Sequence, residues 1–314
     1  MKLNKFYGIV FMLLITSVVF AQQLPQFTQY MFNTISINPA YAGSRETLSA
    51  VGLHRSQWVG IEGAPQTQTL SVHAPLKNEK IGLGISVIND ELGFENFQYV
   101  YGDFSYTIRT GTKSKLAFGL KGGVTAYNLD GDFVASGAPD PVTGQPDNLI
   151  FGYEDRLDFN VGAGLYWHSD RWYVGLSAPR ILNNEYTGEG TFEALERVSY
   201  YFTGGYVFDL SDNVKLKPSA LLKATNGAPL SFDISANFLF NEKFWIGGGY
   251  RVNEQTNALG GIIDFQVSKQ LRIGYAYEQE LNNSGLRAFN NGTHEVLLMF
   301  EVFKSRRIKS PRYF

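Results

Sequence analysis

Two stretches of this chain alternate between apolar and polar residues with a period of two. In residues 157–167 apolar side chains occupy every second position, and residues 230–240 repeat the pattern. Such alternation is typical of a β-strand with one apolar and one polar face. Each run also has the length of about 9 to 11 residues with which a tilted strand crosses a membrane. A soluble β-sandwich alternates too, but usually over shorter strands, so the pattern favours a transmembrane barrel.

Applied to the whole chain, the pattern predicts an all-β protein: an antiparallel up-and-down transmembrane β-barrel of about fourteen strands. In such barrels short turns face the periplasm and long loops face the outside. The longest predicted loops are residues 129–154, 179–196 and 281–292. The predicted strands are residues 45–56, 66–75, 80–90, 96–110, 113–128, 155–168, 170–178, 197–210, 212–223, 228–240, 242–252, 257–268, 269–280 and 293–303.

The first 21 residues read as a secretory signal peptide. Lys2 and Lys5 precede an apolar run, and the residues Val19-Phe20-Ala21 resemble a cleavage site. The apolar run is shorter than the roughly 20 residues of a membrane-spanning helix, which argues against the alternative of an N-terminal anchor. We therefore expect cleavage after Ala21 and export to the outer membrane.

Composition narrows the function classes further. The chain has no cysteine, so it offers no thiol ligand, disulfide or lipid-modified cysteine. Its net charge of −2 gives no basic footprint for nucleic acid. The 33 glycines, 18 tyrosines and 24 phenylalanines suit a barrel, which needs small residues at crowded positions and aromatic residues at the membrane interfaces.

The predicted lumen face carries balanced charge. A pore selective for one ion sign is lined with one charge, whereas balanced charges pair and fill the interior. We therefore expect a filled barrel, with a passive or substrate-specific transport channel as the alternative. The predicted inward charges are Arg109, Lys121, Lys215, Lys217, Lys223, Arg251 and Arg272 against Asp103, Asp158, Asp233, Asp264, Glu278, Glu295 and Glu301.

Motifs for catalysis are weak. The four histidines lack metal-ligand spacing, and no nucleophile elbow or phosphate-binding loop is present. The sequence therefore predicts no enzyme activity, cofactor or metal site, although scattered Ser, His and Asn residues leave a barrel phospholipase as a remote alternative.

Both ends of the mature chain differ from the barrel. Residues 22–44 are too apolar for a free tail and show no clean period, so we expect a periplasmic or plug segment that fills the lumen or binds a partner. The barrel domain is predicted over residues 45–303 and a basic periplasmic tail over residues 304–314. The candidate plug or partner-binding residues are Phe27, Tyr30, Phe32, Asn33, Asn38, Pro39, Tyr41 and Gly43.

Several motifs resemble one known family. The residues PQFTQYMFN at 25–33 and NPAYAG at 38–43 are similar to the mature N-terminus of the PorP/SprF family of type IX secretion system membrane proteins. The similarity continues through RSQW at 55–58 and GAPQT at 63–67, and the ending PRYF at 311–314 also fits.

This resemblance implies a non-enzymatic outer-membrane barrel that assists the export or surface attachment of secreted proteins. The implied partners are a cargo protein, bound through its C-terminal sorting domain, the periplasmic and outer-membrane components of the machinery, and outer-membrane lipid. In members of the SprF kind the cargo is a large gliding-motility adhesin, whereas the PorP kind serves secretion in general. The sequence leaves these two open, and the loops 129–154 and 179–196 are the expected cargo-facing surface.

Overall fold

The computed structural model describes residues 26–77, 79–130, 156–185, 195–252, 257–281 and 289–302. In those ranges no helix is both long and apolar enough to span a membrane. The predicted signal peptide, the basic tail and most of the long loop 129–154 lie outside the described residues.

The strands form a closed antiparallel barrel of 14 strands. Sequence neighbours are sheet neighbours, and the first strand closes the barrel by pairing with the last one. The segments β10 (Ser199–Tyr206) and β11 (Phe208–Ser211) both pair with β12 (Val214–Thr225), so they make one barrel strand that is interrupted at Val207. The short strands β8 (Asn184–Glu185) and β9 (Leu195–Glu196) form a separate ribbon. The strands are β1 (Leu48–Ser56), β2 (Gln66–Pro75), β3 (Ile81–Leu92), β4 (Glu95–Arg109), β5 (Lys115–Leu129), β6 (Arg156–His168), β7 (Trp172–Ala178), β8 (Asn184–Glu185), β9 (Leu195–Glu196), β10 (Ser199–Tyr206), β11 (Phe208–Ser211), β12 (Val214–Thr225), β13 (Ser231–Phe240), β14 (Phe244–Val252), β15 (Asn257–Gln266), β16 (Leu271–Glu280) and β17 (Thr293–Val302).

The predicted fold is confirmed, and β13 shows the predicted alternation of inner and outer residues. In β13 the apolar Phe232 and Ile234 are exposed on the outer face, while Asp233 and Asn237 are buried on the inner face. This distribution of apolar and polar side chains is the reverse of that in a soluble protein. It suits a barrel wall whose outer face contacts the hydrocarbon of the membrane, because lipid-facing and lumen-facing residues alternate along each strand.

The two ends of the barrel differ. At the turn end, six short connections join the strands, one of them at Asn241–Lys243. At the loop end lie the longer connections 57–65, 179–198 and 281–292, although β3 and β4 are joined there by Gly93 and Phe94 alone. β1 begins at Leu48 and β17 ends at Val302, and these two paired residues lie at the turn end of the barrel.

Residues 26–44, here called the plug, fill the lumen. They form three 3₁₀ turns, Tyr30–Phe32, Thr34–Ser36 and Pro39–Tyr41, rather than a long helix or a strand. Their apolar side chains pack with lumen-facing residues from both sides of the barrel, among them Leu53 of β1 and Leu239 of β13. The protein's core is therefore the plug together with the inner face of the wall.

Candidate functional site in the barrel lumen

The plug runs along the barrel from the loop end to the turn end. Gln26 contacts Asp233, close to the loop end of β13. Gly43 reaches His73 near the turn end of β2, where its amide donates to Nδ1 at 3.1 Å. Between these points nearly every side chain is buried, so the plug contacts the wall throughout its length.

The first residues of the plug are held by carboxylates of the wall. The amides of Thr28 and Gln29 donate to the two oxygens of Glu295 at 2.6 and 3.0 Å. The Thr28 hydroxyl donates to Glu278 at 3.0 Å. Charged acceptors make stronger hydrogen bonds than neutral ones, so Glu295 orders backbone that has no regular secondary structure.

Two arginines neutralise these carboxylates. Arg55 pairs with Glu295 and lies 3.5 Å from Glu278, while Arg251 bonds Asp233 at 2.7 Å and Glu278 at 2.8 Å. All five groups lie on the inner face near the loop end. Removing one member of such a buried network leaves an uncompensated charge, which makes the network sensitive to single substitutions.

The turn-end half of the plug is fixed by an asparagine cap. The Asn38 side chain accepts from the Ala40 amide at 3.0 Å and donates to the Leu165 carbonyl of β6 at 2.9 Å. Pro39 follows at the first position of the 3₁₀ turn, where its missing N–H costs no hydrogen bond. Asn38 thus starts the turn and ties it to the wall.

Here the wall approaches the plug so closely that only glycine fits. A Cβ built on Gly119 of β5 would overlap the Ala40 amide, and one on Gly164 of β6 would overlap the Asn38 side chain. Gly43 itself has φ +75°, and a Cβ there would lie 2.9 Å from the Gly82 Cα. The glycines of β3, β5 and β6 therefore shape a surface that matches the plug.

Two buried cations of the barrel wall pack against an aromatic ring of the plug. The Lys217 ammonium lies 5.2 Å from the ring centre of Phe32, and the Arg272 guanidinium lies 5.2 Å from it as well. Arg45, which follows the plug, bonds Glu301 at 2.6 Å. Burial alone would lower the pKa of Arg45, but the adjacent Glu301 carboxylate raises it. Burial raises the pKa of Tyr30 in the plug.

The loop-end mouth is covered by part of the predicted loop 179–196. Arg180 pairs with Glu196 at 2.8 Å and stacks 4.3 Å from the ring centre of Tyr99. Asn160 accepts from the amides of Ile181 and Leu182, each at 3.0 Å. These residues of the loop therefore belong to the barrel interior, and the others remain candidates for a surface role.

The histidines do not form a reactive cluster. His73 is buried against Gly43, His294 bonds the Tyr275 hydroxyl at 2.7 Å, and His54 lies 3.0 Å from the Ser56 hydroxyl on the outer face. Within the described ranges, no group of three or more His, Cys, Asp or Glu side chains is placed to hold a metal ion.

One family model matches most of the chain. The model of the family described as type IX secretion system membrane protein PorP/SprF matches residues 19–300, which include the plug and almost the whole barrel. The chain belongs to the PorP/SprF family. It is thus a type IX secretion system membrane protein with the fold of an outer-membrane barrel.

Solved structures support the fold alone. The PorP/SprF chain is similar to a TodX deletion mutant described as a monoaromatic hydrocarbon channel, with a TM-score of 0.53, 11% identity and coverage of 88% of this chain and 94% of that one. The CymD monoaromatic hydrocarbon channel has a TM-score of 0.50 and 13% identity, and the match covers 90% of this chain and 95% of that one. The outer membrane protein Omp33 of Acinetobacter baumannii has a TM-score of 0.45 and 9% identity, and the match covers 82% of this chain and 100% of that one. No curated protein matches the chain.

The eight candidate residues all lie in the plug. Seven of them are buried, and Gly43 is half-buried. Their role in binding a partner stays a prediction, as do the domain boundaries. All fourteen predicted charges occupy inward-facing positions of their strands, but Arg109 is exposed at the turn end of β4 and so does not fill the lumen.

Several residues of the site were missed by sequence reasoning. Arg55 was noted only within a family motif, and Glu196 and Arg180 only as loop residues. Inward-facing glycines such as Gly119 were available as a signal, because a glycine on the lumen face of a strand indicates close approach of another backbone.

Proposed function

We propose that this PorP/SprF protein assists the export or surface attachment of specific secreted proteins without acting as an enzyme. Its cargo would be recognised through a C-terminal sorting domain, as for a large gliding-motility adhesin, together with other components of the type IX machinery. The observation that supports this best is the filled lumen, because residues 26–44 occupy it along its length, which favours a role carried by the surfaces of the barrel over passive diffusion of solute.

The loop end offers a built surface for such cargo, with the turn end toward the periplasm. The connection 57–65 is held on two sides: Val59 exchanges backbone hydrogen bonds of 2.9 and 2.8 Å with Gly292 and Asn291, and the Gly63 carbonyl accepts from Gly93 at 2.9 Å. The Trp58 indole donates to Glu280 at 2.6 Å. This rigid surface presents the apolar side chains of Val59 and Phe289, the latter 71% exposed.

Binding sites favour connections that a rigid scaffold holds in place. Exposed apolar side chains within such a connection are also typical of protein interaction sites when they cluster. We therefore assign cargo contact to the surface around Val59 and Phe289, and we keep loops 129–154 and 179–196 as further candidates for cargo contact.

The test compares three strains of the native host: one in which the gene is deleted, one that carries the double variant Val59→Asp/Phe289→Asp, and one that carries the control variant Val267→Asp. Val267 is exposed in a turn-end connection and controls for the added charge. Quantitative mass spectrometry of the medium and cell surface should show loss of one or more large proteins in the deletion and the double variant, with normal levels in the control. An unchanged protein profile in the deletion strain would contradict the proposal.

A transport channel is the competing function. Solute would have to pass the plug, whose backbone at Ala40 abuts Gly119 and whose Asn38 side chain abuts Gly164. Purified protein in planar bilayers is therefore expected to show no stable open conductance, and a high conductance of the unmodified protein would favour the channel.

A further inference from the structure

The turn end carries a pocket that the secretion role does not explain. It has a volume of about 360 Å³ and lies between the connection from β2 to β3 and the end of the β4–β5 hairpin. β3 begins at Ile81, opposite Tyr106, whereas β4 continues to Arg109 paired with Lys115. The hairpin therefore extends past β3, and the hollow forms where it has no neighbouring strand.

The polar side of this pocket is mainly cationic. Lys80, Arg109 and Lys115 line it together with Glu79. Lys115 is bound to Glu46, next to the end of the plug. The lining of the pocket thus contains three cations and one carboxylate, a composition that suits an anionic ligand.

The other side of the pocket is apolar and faces outward. Tyr106 and Ile108 line it and are 42% and 39% exposed. They alternate with the inward-facing positions of β4, so they point to the side where the barrel meets hydrocarbon. A ligand that fills the whole pocket must therefore combine an anionic group with an apolar chain.

Aromatic residues fix the height of the pocket in the membrane. Outward-facing aromatic side chains ring the turn end, and such rings sit at the level of lipid headgroups. Lys80 and Arg109 lie just beyond this ring, next to Tyr106, at the level of the phosphates. The exposed aromatic residues at this end include Phe104, Tyr106, Phe118, Trp167, Tyr206 and Phe208.

We propose that this pocket binds one membrane phospholipid, whose phosphate is held by Lys80 and Arg109 while its chain covers Tyr106 and Ile108. Glu79 suits the ammonium of an ethanolamine headgroup. The apolar wall distinguishes a lipid from free phosphate, which would leave Tyr106 and Ile108 uncovered. The site ties the turn end of the barrel to one leaflet, at the strands nearest the plug's end.

The test is native mass spectrometry of the detergent-purified full-length protein with added phosphatidylethanolamine. The pocket variant is Lys80→Ala/Arg109→Ala, and the matched control is Lys243→Ala/Lys269→Ala, which removes two exposed lysines from other turns at the same end. Basic residues near a membrane surface each contribute measurably to lipid binding, so the pocket variant should bind roughly tenfold more weakly than wild type and control. Equal binding by the pocket variant would overturn the proposal.

Two further arms identify the ligand. Tyr106→Ala should weaken phosphatidylethanolamine binding severalfold, whereas inorganic phosphate in millimolar excess should leave the bound lipid in place. Displacement by inorganic phosphate, with no effect of Tyr106→Ala, would reveal a free-phosphate site and overturn the lipid assignment. If the double variant does not fold, the single variants Lys80→Gln and Arg109→Gln replace it, and unchanged binding by both would contradict the proposal.

Discussion

The two halves of the plug are held by different kinds of interaction. At the loop end, Thr28 and Gln29 are bound by the carboxylate of Glu295, which Arg55 neutralises in turn. At the turn end, Ala40 passes against Gly119 with no space for a side chain on the wall. One half is fixed by charge and the other by shape.

This difference teaches which half can adapt. If the loop end opens to water, the plug amides and the Glu295 carboxylate can exchange their mutual hydrogen bonds for hydrogen bonds to water, whereas the close-packed backbone has no alternative partner. We therefore expect the turn-end half to behave as permanent core. Any movement of the plug in response to a partner should begin at the loop end, near Gln26.

The largest effect is expected from Gly119→Val. Its branched side chain would overlap the plug backbone at Ala40, so the barrel should fail to fold or lose at least about 4 kcal/mol of stability. Urea unfolding of the purified protein measures this. Gly122→Val is the matched control, because a Cβ there meets no atom within 4 Å. Equal stability of the two variants would show that shape does not hold the turn-end half.

The strands and their register were predictable, while the path of the plug was not. Period-two alternation has a local cause, since each strand residue faces either lipid or lumen, and it placed residues such as Asp233 and Lys217 correctly on the inner face. The plug has no period of its own. Its 3₁₀ turns follow the shape of the lumen, which depends on glycines of β3, β5 and β6 that are distant in the sequence.

The contacts that Arg180 of the loop 179–196 makes inside the barrel were unpredictable for a related reason. A loop arginine such as Arg180 reads as solvent-exposed, because sequence shows neither the Tyr99 ring nor the Glu196 carboxylate that receive it. These groups meet only after β4 and β9 are placed in three dimensions. Local patterns therefore predicted the wall, and contacts distant in sequence decide what fills it.

The second prediction concerns the charged half of the plug. Glu295→Ala removes the acceptor of two plug amides and leaves Arg55 without its nearest buried partner, so we expect a loss of about 3–5 kcal/mol in urea unfolding. The exposed Glu62→Ala should change stability by less than about 0.5 kcal/mol. A similar, small loss in both variants would mean that charge contributes little at the loop end.

The third prediction separates the two bonds of Asn38 at the boundary between the halves. Asn38→Ala loses the cap on Ala40 and the bond to Leu165, for a cost of about 2 kcal/mol. Asn38→Ser keeps a cap acceptor for the Ala40 amide but is too short to donate to Leu165, so its loss should be smaller than that of the alanine variant. The unfolding midpoints of the two variants test this, and an equal or larger loss for the serine would argue against the cap.

The smallest effect is expected from Thr28→Val. The change removes the hydroxyl that donates to Glu278 and accepts from Arg55, but it retains the plug amide that donates to Glu295. Arg55 and Glu278 still lie 3.5 Å apart in the variant, so each charge keeps a partner of opposite sign. The loss in the free energy of unfolding should therefore be about 1 kcal/mol. Thr112→Val, in an exposed turn, is the control. A loss as large as that of Glu295→Ala would instead mean that the hydroxyl, rather than the carboxylate, fixes the loop-end half of the plug.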